Sequence, residues 1–89
     1  MQNRADRIRA VLAERLAPAE ITVSDDSHQH AGHAGARPGG ETHYTVTVVS
    51  AAFAGMNRVA RSRLVHEALA AEFAGGLHAL ALRLKAPGE

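Results

Sequence analysis

Six histidines and no cysteine stand in a chain of 89 residues, so imidazole is its only strong side-chain donor for a borderline or soft metal. His28, His30 and His33 are spaced HxHxxH in a stretch rich in glycine. Neutral imidazoles at that spacing bind zinc, nickel or copper, and they also trap such ions adventitiously. His43 opens a run of β-type residues, His66 lies in a helical pattern, and His78 follows Gly75, Gly76 and Leu77. Each has a plainer reading beside the ligand one. The three loop histidines can be merely solvated, His66 a helix-surface residue, and His43 a strand residue with its ring in solvent. His78 can be a structural histidine. It shares a strand face with Leu80, Leu82 and Leu84, which puts its ring either partly under cover or at the sheet edge.

Other chemistry is poorly served. Without cysteine there is no disulfide, thiol nucleophile or CxxC redox pair. Asp25 and Asp26 are adjacent, and in extended chain their carboxylates point to opposite faces, which does not assemble an acid and base. Ser27 beside His28 has no third group to orient it, and no phosphate-binding or dinucleotide fingerprint occurs. An enzyme is not expected. Ten Lys and Arg against nine Asp and Glu give a formal charge of +1, which argues against a strongly basic nucleic-acid footprint. Arg58, Arg61 and Arg63 are the candidate phosphate contacts. At about 100° per residue the first two share a helix face while Arg63 lies about 140° from Arg58, so they form no single stripe. The GHAG of residues 32–35 matches a GxxG loop by letter only, since it lies between two strands.

These residues must be carried by a small scaffold. Hydrophobic residues make up 46% of the chain, but aromatics only 3%, so the core must be built from Leu, Val and Ile with Phe53, Phe73 and Tyr44. One domain spanning 1–89 is expected at this length. Ile8, Val11, Leu12 and Leu16 mark one face of a first helix, with Asn3 and Asp6 as a capping box, Pro18 as its stop, and Arg4, Arg7, Arg9 and Glu14 left for solvent. Residues 20–24 alternate as a strand. Residues 25–41 hold half of the eight glycines, three histidines and no large aliphatic residue, and read as a long flexible loop. Next comes the strongest strand, THYTVTVVS, with Tyr44, Val46 and Val48 on one face. After a turn at AAFAG, Asn57 caps a helix expected over 58–73, with Val65, Ala68, Leu69 and Phe73 facing inward. Gly75 and Gly76 end it in the left-handed conformation. A last strand follows over 77–85. The order helix, strand, strand, helix, strand predicts an α+β two-layer fold: a three-stranded mixed sheet with helices on one face. No apolar run approaches the roughly 18 residues of a membrane span, and MQNRADRIRA lacks the apolar stretch of a signal peptide, so a cytoplasmic protein is expected.

GGETHYTVTVVS, the FAG turn with RVARSRLV, and GLHAL, in this order and spacing, resemble the BolA family. RIRAVLAERLAPAEITVSD is similar to that family's first helix and strand, so the resemblance covers nearly the whole chain. It implies a class II KH-like fold and partnership with a monothiol, CGFS-type glutaredoxin. In such a pair a [2Fe-2S] cluster is shared between the glutaredoxin and a glutathione thiolate on one side and BolA histidines on the other. On this resemblance His78 in GLHAL matches the C-terminal ligand, and His33 matches the loop position that is His in one branch and Cys in another. A chain without Cys falls in the His-type, bacterial branch. His30, His28 and His43 remain alternatives for the second ligand. Imidazole in place of thiolate raises a cluster's reduction potential, and its hold weakens as the rings protonate. The chain departs from the family pattern at Asn57, usually Ser, and at Ser62, usually His, the latter weakening nucleic-acid contact more than cluster binding. The expected function is a non-enzymatic adaptor in iron-sulfur assembly, trafficking or iron regulation. The alternatives are a BolA-type DNA-binding transcriptional regulator, and a His-rich module that binds zinc or nickel by itself. Whether the chain forms a homodimer is left open.

Overall fold

A computed structural model describes residues 3–26 and 43–89. The first helix, α1, runs over Arg4–Leu16 and starts as its sequence dictates: the Asn3 side chain accepts from the Asp6 N–H at 2.9 Å, and the Asp6 carboxylate accepts from the Asn3 N–H at 3.4 Å. Ile8, Leu12 and Leu16 are buried along one face. Pro18 follows directly, and the chain turns into strand β1, Ala19–Asp25. Strand β2 covers His43–Ser50 and leads into a single 3-10 turn at Ala51–Phe53. Gly55 then takes φ +79°, the left-handed conformation open to glycine without steric cost. Helices α2, Arg58–Ala68, and α3, Ala70–Ala74, precede the last strand, β3, Ala79–Lys85.

The sheet order is β1-β2-β3, with β1 antiparallel and β3 parallel to the central β2. The hairpin needs only a return loop, whereas the parallel pair needs a crossover, which α2 and α3 supply. Tyr44, Val46 and Val48 are buried on one face of β2 and join Ile8, Leu12, Leu16, Phe53, Val65 and Leu69 in one core, with Tyr44 and Phe53 its largest pieces. Each such side chain stabilises the fold by about 1.5–3 kcal/mol relative to exposure. The expected α+β architecture, with a mixed sheet and helices on one face, is the one observed.

Four local expectations are corrected. The second helix does not run unbroken to Phe73. It breaks at Leu69 (φ −101°, ψ 15°), where the Glu72 N–H reaches back only three residues to the Leu69 carbonyl, and this tightened turn keeps Leu69 itself buried. The last strand begins at Ala79, so His78 stands just ahead of it. Of the two glycines, only Gly76 has positive φ, +119°, and Gly75 stays at −87°. Arg4 is not left for solvent. It is 7% exposed, because its guanidinium is clamped between α3 and the turn after it. Of the stretch 25–41, Asp25 ends β1 and Asp26 follows it; the remainder, with His28, His30, His33 and the GHAG of 32–35, lies outside the described residues.

Candidate metal centre

The parallel register sets His43 opposite Ala79, one residue beyond His78. Two histidines far apart in sequence therefore meet at the head of the sheet, their ring centroids 5.2 Å apart and tilted by 52°. His43 is buried, at 6% exposure, with the His78 ring against it, which corrects the expectation of a ring in solvent. His78 is exposed, and its ring nitrogens have no hydrogen-bond partner among the described residues. It does not stand among the leucines of β3. Those leucines are half-buried, while the residue before the strand has already turned outward.

The His78 backbone is held from three sides. The Leu77 N–H donates to the Glu72 carbonyl at 2.9 Å, and the Leu77 side chain is buried in the core. The Gly75 N–H donates to the carbonyls of Ala71 and Glu72. The Arg4 Nη2 donates to the Gly75 carbonyl at 2.9 Å while its Nε donates to Glu72 Oε1 at 3.0 Å. Arg7 joins the same carboxylate with Nε and Nη2 at 3.0–3.1 Å. The Arg7 hydrogen bonds, with those of Arg4, hold the Glu72 carboxyl below its usual range against the opposing effect of burial. The N-terminal helix thus anchors the turn that presents His78.

On the β1 side the Asp26 N–H donates to the His43 carbonyl at 2.8 Å, so the chain on the two sides of residues 27–42 is pinned together beside the two histidines. The Asp26 carboxylate accepts from Thr45 Oγ1 at 2.5 Å and from Ser24 Oγ at 3.0 Å, and is a structural acceptor here. A shallow depression over Asp26, His43, Thr45 and Ala79–Ala81 adjoins the pair. Among the described residues no three His, Cys, Asp or Glu side chains gather to enclose a metal ion. The two imidazoles lie side by side, with the His78 ring on the solvent side.

The remaining candidates lie elsewhere. His66 is exposed on α2, stacked on Phe73 at 5.3 Å with Nδ1 2.9 Å from the Ser62 carbonyl, and is remote in role from the pair. Arg58 and Arg63 are exposed on α2. Arg61 is engaged internally: it donates to the carbonyls of Met56 and Leu84, forms a two-pronged pair with Glu89, and lies 5.8 Å over the Phe53 ring. Sequence reasoning missed the juxtaposition of His43 with His78, although the expected parallel pairing of the two strands contained the signal. It also missed Arg4, for which helical periodicity carries none.

The model of the BolA-like protein family matches residues 12–89. Protein BOLA1, chloroplastic, from Arabidopsis thaliana is 48% identical over the whole of this chain, and SufE-like protein 1, chloroplastic/mitochondrial, of the same plant is 45% identical over 98% of it. The chain spans 57% and 24% of the lengths of these two proteins. The structure of BolA1 from Arabidopsis thaliana superposes with a TM-score of 0.87 at 44% identity, covering all of this chain and 98% of that one. Among the described residues no helix is long and apolar enough to cross a membrane. With the motifs, the sheet order and these matches in agreement, the chain belongs to the BolA-like family.

Proposed function

We propose that the protein is a cytoplasmic, non-enzymatic adaptor that docks a monothiol CGFS glutaredoxin and contributes histidine ligands to a [2Fe-2S] cluster shared with that partner and glutathione, serving iron-sulfur trafficking or iron regulation. The observation that carries this reading is His78: an exposed imidazole whose ring nitrogens have no hydrogen-bond partner among the described residues, on a backbone fixed by Leu77, Gly75 and Arg4. A ligand held by its own fold loses little entropy on coordination. The donor set suits the cargo, since an imidazole can replace thiolate on one iron of such a cluster, and the open side of His78 leaves room for the sulfur donors of another protein. The second histidine comes either from His43, already beside His78, or from the loop positions His33, His30 and His28. Chain length permits the latter. His28 is two residues from Asp26, a contour of about 7 Å, and His33 seven residues, about 25 Å.

The test mixes the chain with a cluster-loaded, glutathione-bound CGFS glutaredoxin and follows visible absorption, circular dichroism and native mass. A heterodimer carrying one cluster with a changed spectrum is expected, and His78→Ala should abolish the change while leaving the far-ultraviolet spectrum intact. An unaltered cluster spectrum with His78→Ala overturns the assignment. Parallel His43→Ala and His33→Ala variants then identify the second ligand. A DNA-regulator function finds less support, because Arg61 is committed to Glu89 and only Arg58 and Arg63 of the three arginines stand free on α2 among the described residues.

A further inference from the structure

At the opposite end of the sheet from the histidines, α2 and β3 diverge and leave a groove of about 720 Å³. Its floor is aliphatic, from Met56, Val59, Leu82 and Leu84, and Val59, at 58% exposed, is the large hydrophobic side chain most open to water among the described residues. Its walls carry Arg58, Arg61, Arg83 and Lys85, and among the described residues no acidic side chain lines it. Beside it lies the open edge of β3, which pairs with β2 on one side only. The Leu84 carbonyl accepts from Arg61, and by the two-residue alternation of a strand the main-chain groups of Leu82 and Leu80 point the same way. A row of backbone donors and acceptors thus runs along a cationic, apolar-floored trough.

We infer that this groove is a docking site for an extended, acidic segment of a partner protein, which adds as a strand to the β3 edge, seats aliphatic side chains on Val59 and Leu82, and places carboxylates against Arg58, Arg83 and Lys85. The chain shows the chemistry in miniature. The Glu89 carboxylate, carried by the turn at Pro87 and Gly88, sits on the Arg61 guanidinium with contacts of 2.5 and 2.7 Å and accepts from the Ala86 N–H at 3.1 Å, so a carboxylate is already accommodated at the groove's rim. Nucleic acid is the other polyanion to weigh. Single strands are held chiefly by aromatic planes that stack bases, and among the described residues no aromatic side chain lines the trough. Main-chain pairing plus alternating aliphatic and acidic side chains is the recognition that a strand-shaped peptide supplies. This inference does not rest on the cluster reading, since it uses none of the histidines.

The probe is a fluorescein-labelled peptide alternating Glu with Val and Leu, titrated into the full chain by anisotropy, with a peptide carrying Lys in place of Glu and a 20-base-pair DNA duplex as comparators. Saturable binding of the acidic peptide alone is expected. Arg83→Glu with Lys85→Glu should weaken it at least tenfold, Glu89→Gln should strengthen it a few-fold by freeing Arg61, and His78→Ala should leave it unchanged. Amide NMR supplies the second measurement, with shifts and slowed exchange at Leu80 and Leu82 on binding. Equal affinity for the Lys peptide, DNA binding without peptide binding, or unperturbed Leu80 and Leu82 amides each overturn the proposal. Circular dichroism of the charge-reversed variant confirms that it is folded, these side chains being exposed.

Discussion

Two arginine-glutamate pairs tie distant parts of this chain together, and their surroundings make them different devices. Arg4 and Glu72 are 8% and 13% exposed, join α1 to α3, and share their carboxylate with Arg7 and their guanidinium with the Gly75 carbonyl. Arg61 reaches from α2 to Glu89, whose side chain is 45% exposed, near the end of the described chain. Neighbouring hydrogen bonds lower the acid in both. Glu72 is held down chiefly by Arg7, and Glu89 falls to about 2 chiefly through Arg61. A carboxylate shift alone does not measure contribution to stability. In the first pair the guanidinium cannot return to water without opening the fold, so losing its partner leaves a buried charge. In the second, Arg61 is 12% exposed but keeps the Met56 and Leu84 carbonyls when Glu89 is lost, and water takes the place of the exposed carboxylate.

The contrast can be broken at either member. The largest effect is expected for Glu72→Gln, which takes the carboxylate charge away from buried Arg4 and from Arg7: about 3 kcal/mol of unfolding free energy, at the lower edge of what removing one partner of a buried pair costs, read by urea denaturation. Arg4→Met should cost less, about 2 kcal/mol, because it keeps the stem packing and Glu72 keeps Arg7. It should also broaden or shift the His78 ring signals in NMR, since the Gly75 carbonyl is released. Ser50→Ala, which removes a 2.7 Å hydrogen bond to the Leu16 carbonyl in the core, is expected to cost about 1–2 kcal/mol.

Acidification sharpens the same contrast. Glu72 has a lowered pKa in the fold, so its contribution is complete above the ordinary glutamate value of about 4.3 and is lost as pH falls through the lower folded value. The urea midpoint of the native chain should therefore drop below about pH 4.3 more steeply than that of Glu72→Gln. Glu89→Gln should leave the midpoint at neutral pH within measurement error. A shift as large as that of Glu72→Gln would show that the two pairs are alike after all.

The elements with strong periodic signals were legible in the sequence: the capping box at Asn3, the inward face of Tyr44, Val46 and Val48, and the strand order that forces a parallel pair. The break at Leu69 was not, because Val65, Leu69 and Phe73 satisfy helical spacing whether or not the backbone tightens between them. Arg4 was illegible for a related reason. An arginine in a first helical turn faces solvent on composition, and only the tertiary approach of α3 decides otherwise. Of the candidate site, the importance of His78 came from its neighbours in GLHAL, while the burial of His43 follows from a sheet register that no local pattern states. The groove between α2 and β3 was hidden most completely, since it is assembled from two elements of ordinary sequence.

The antiparallel pairing of β1 with β2 closes at Asp26 and His43, and the parallel pairing of β3 begins one residue past His78. The spacing of the two imidazoles consequently follows the strand register, which sets His43 opposite Ala79. Under the proposed cluster-sharing role, the spacing of the imidazole pair and the length of the segment between the two strands are written in different parts of the sequence.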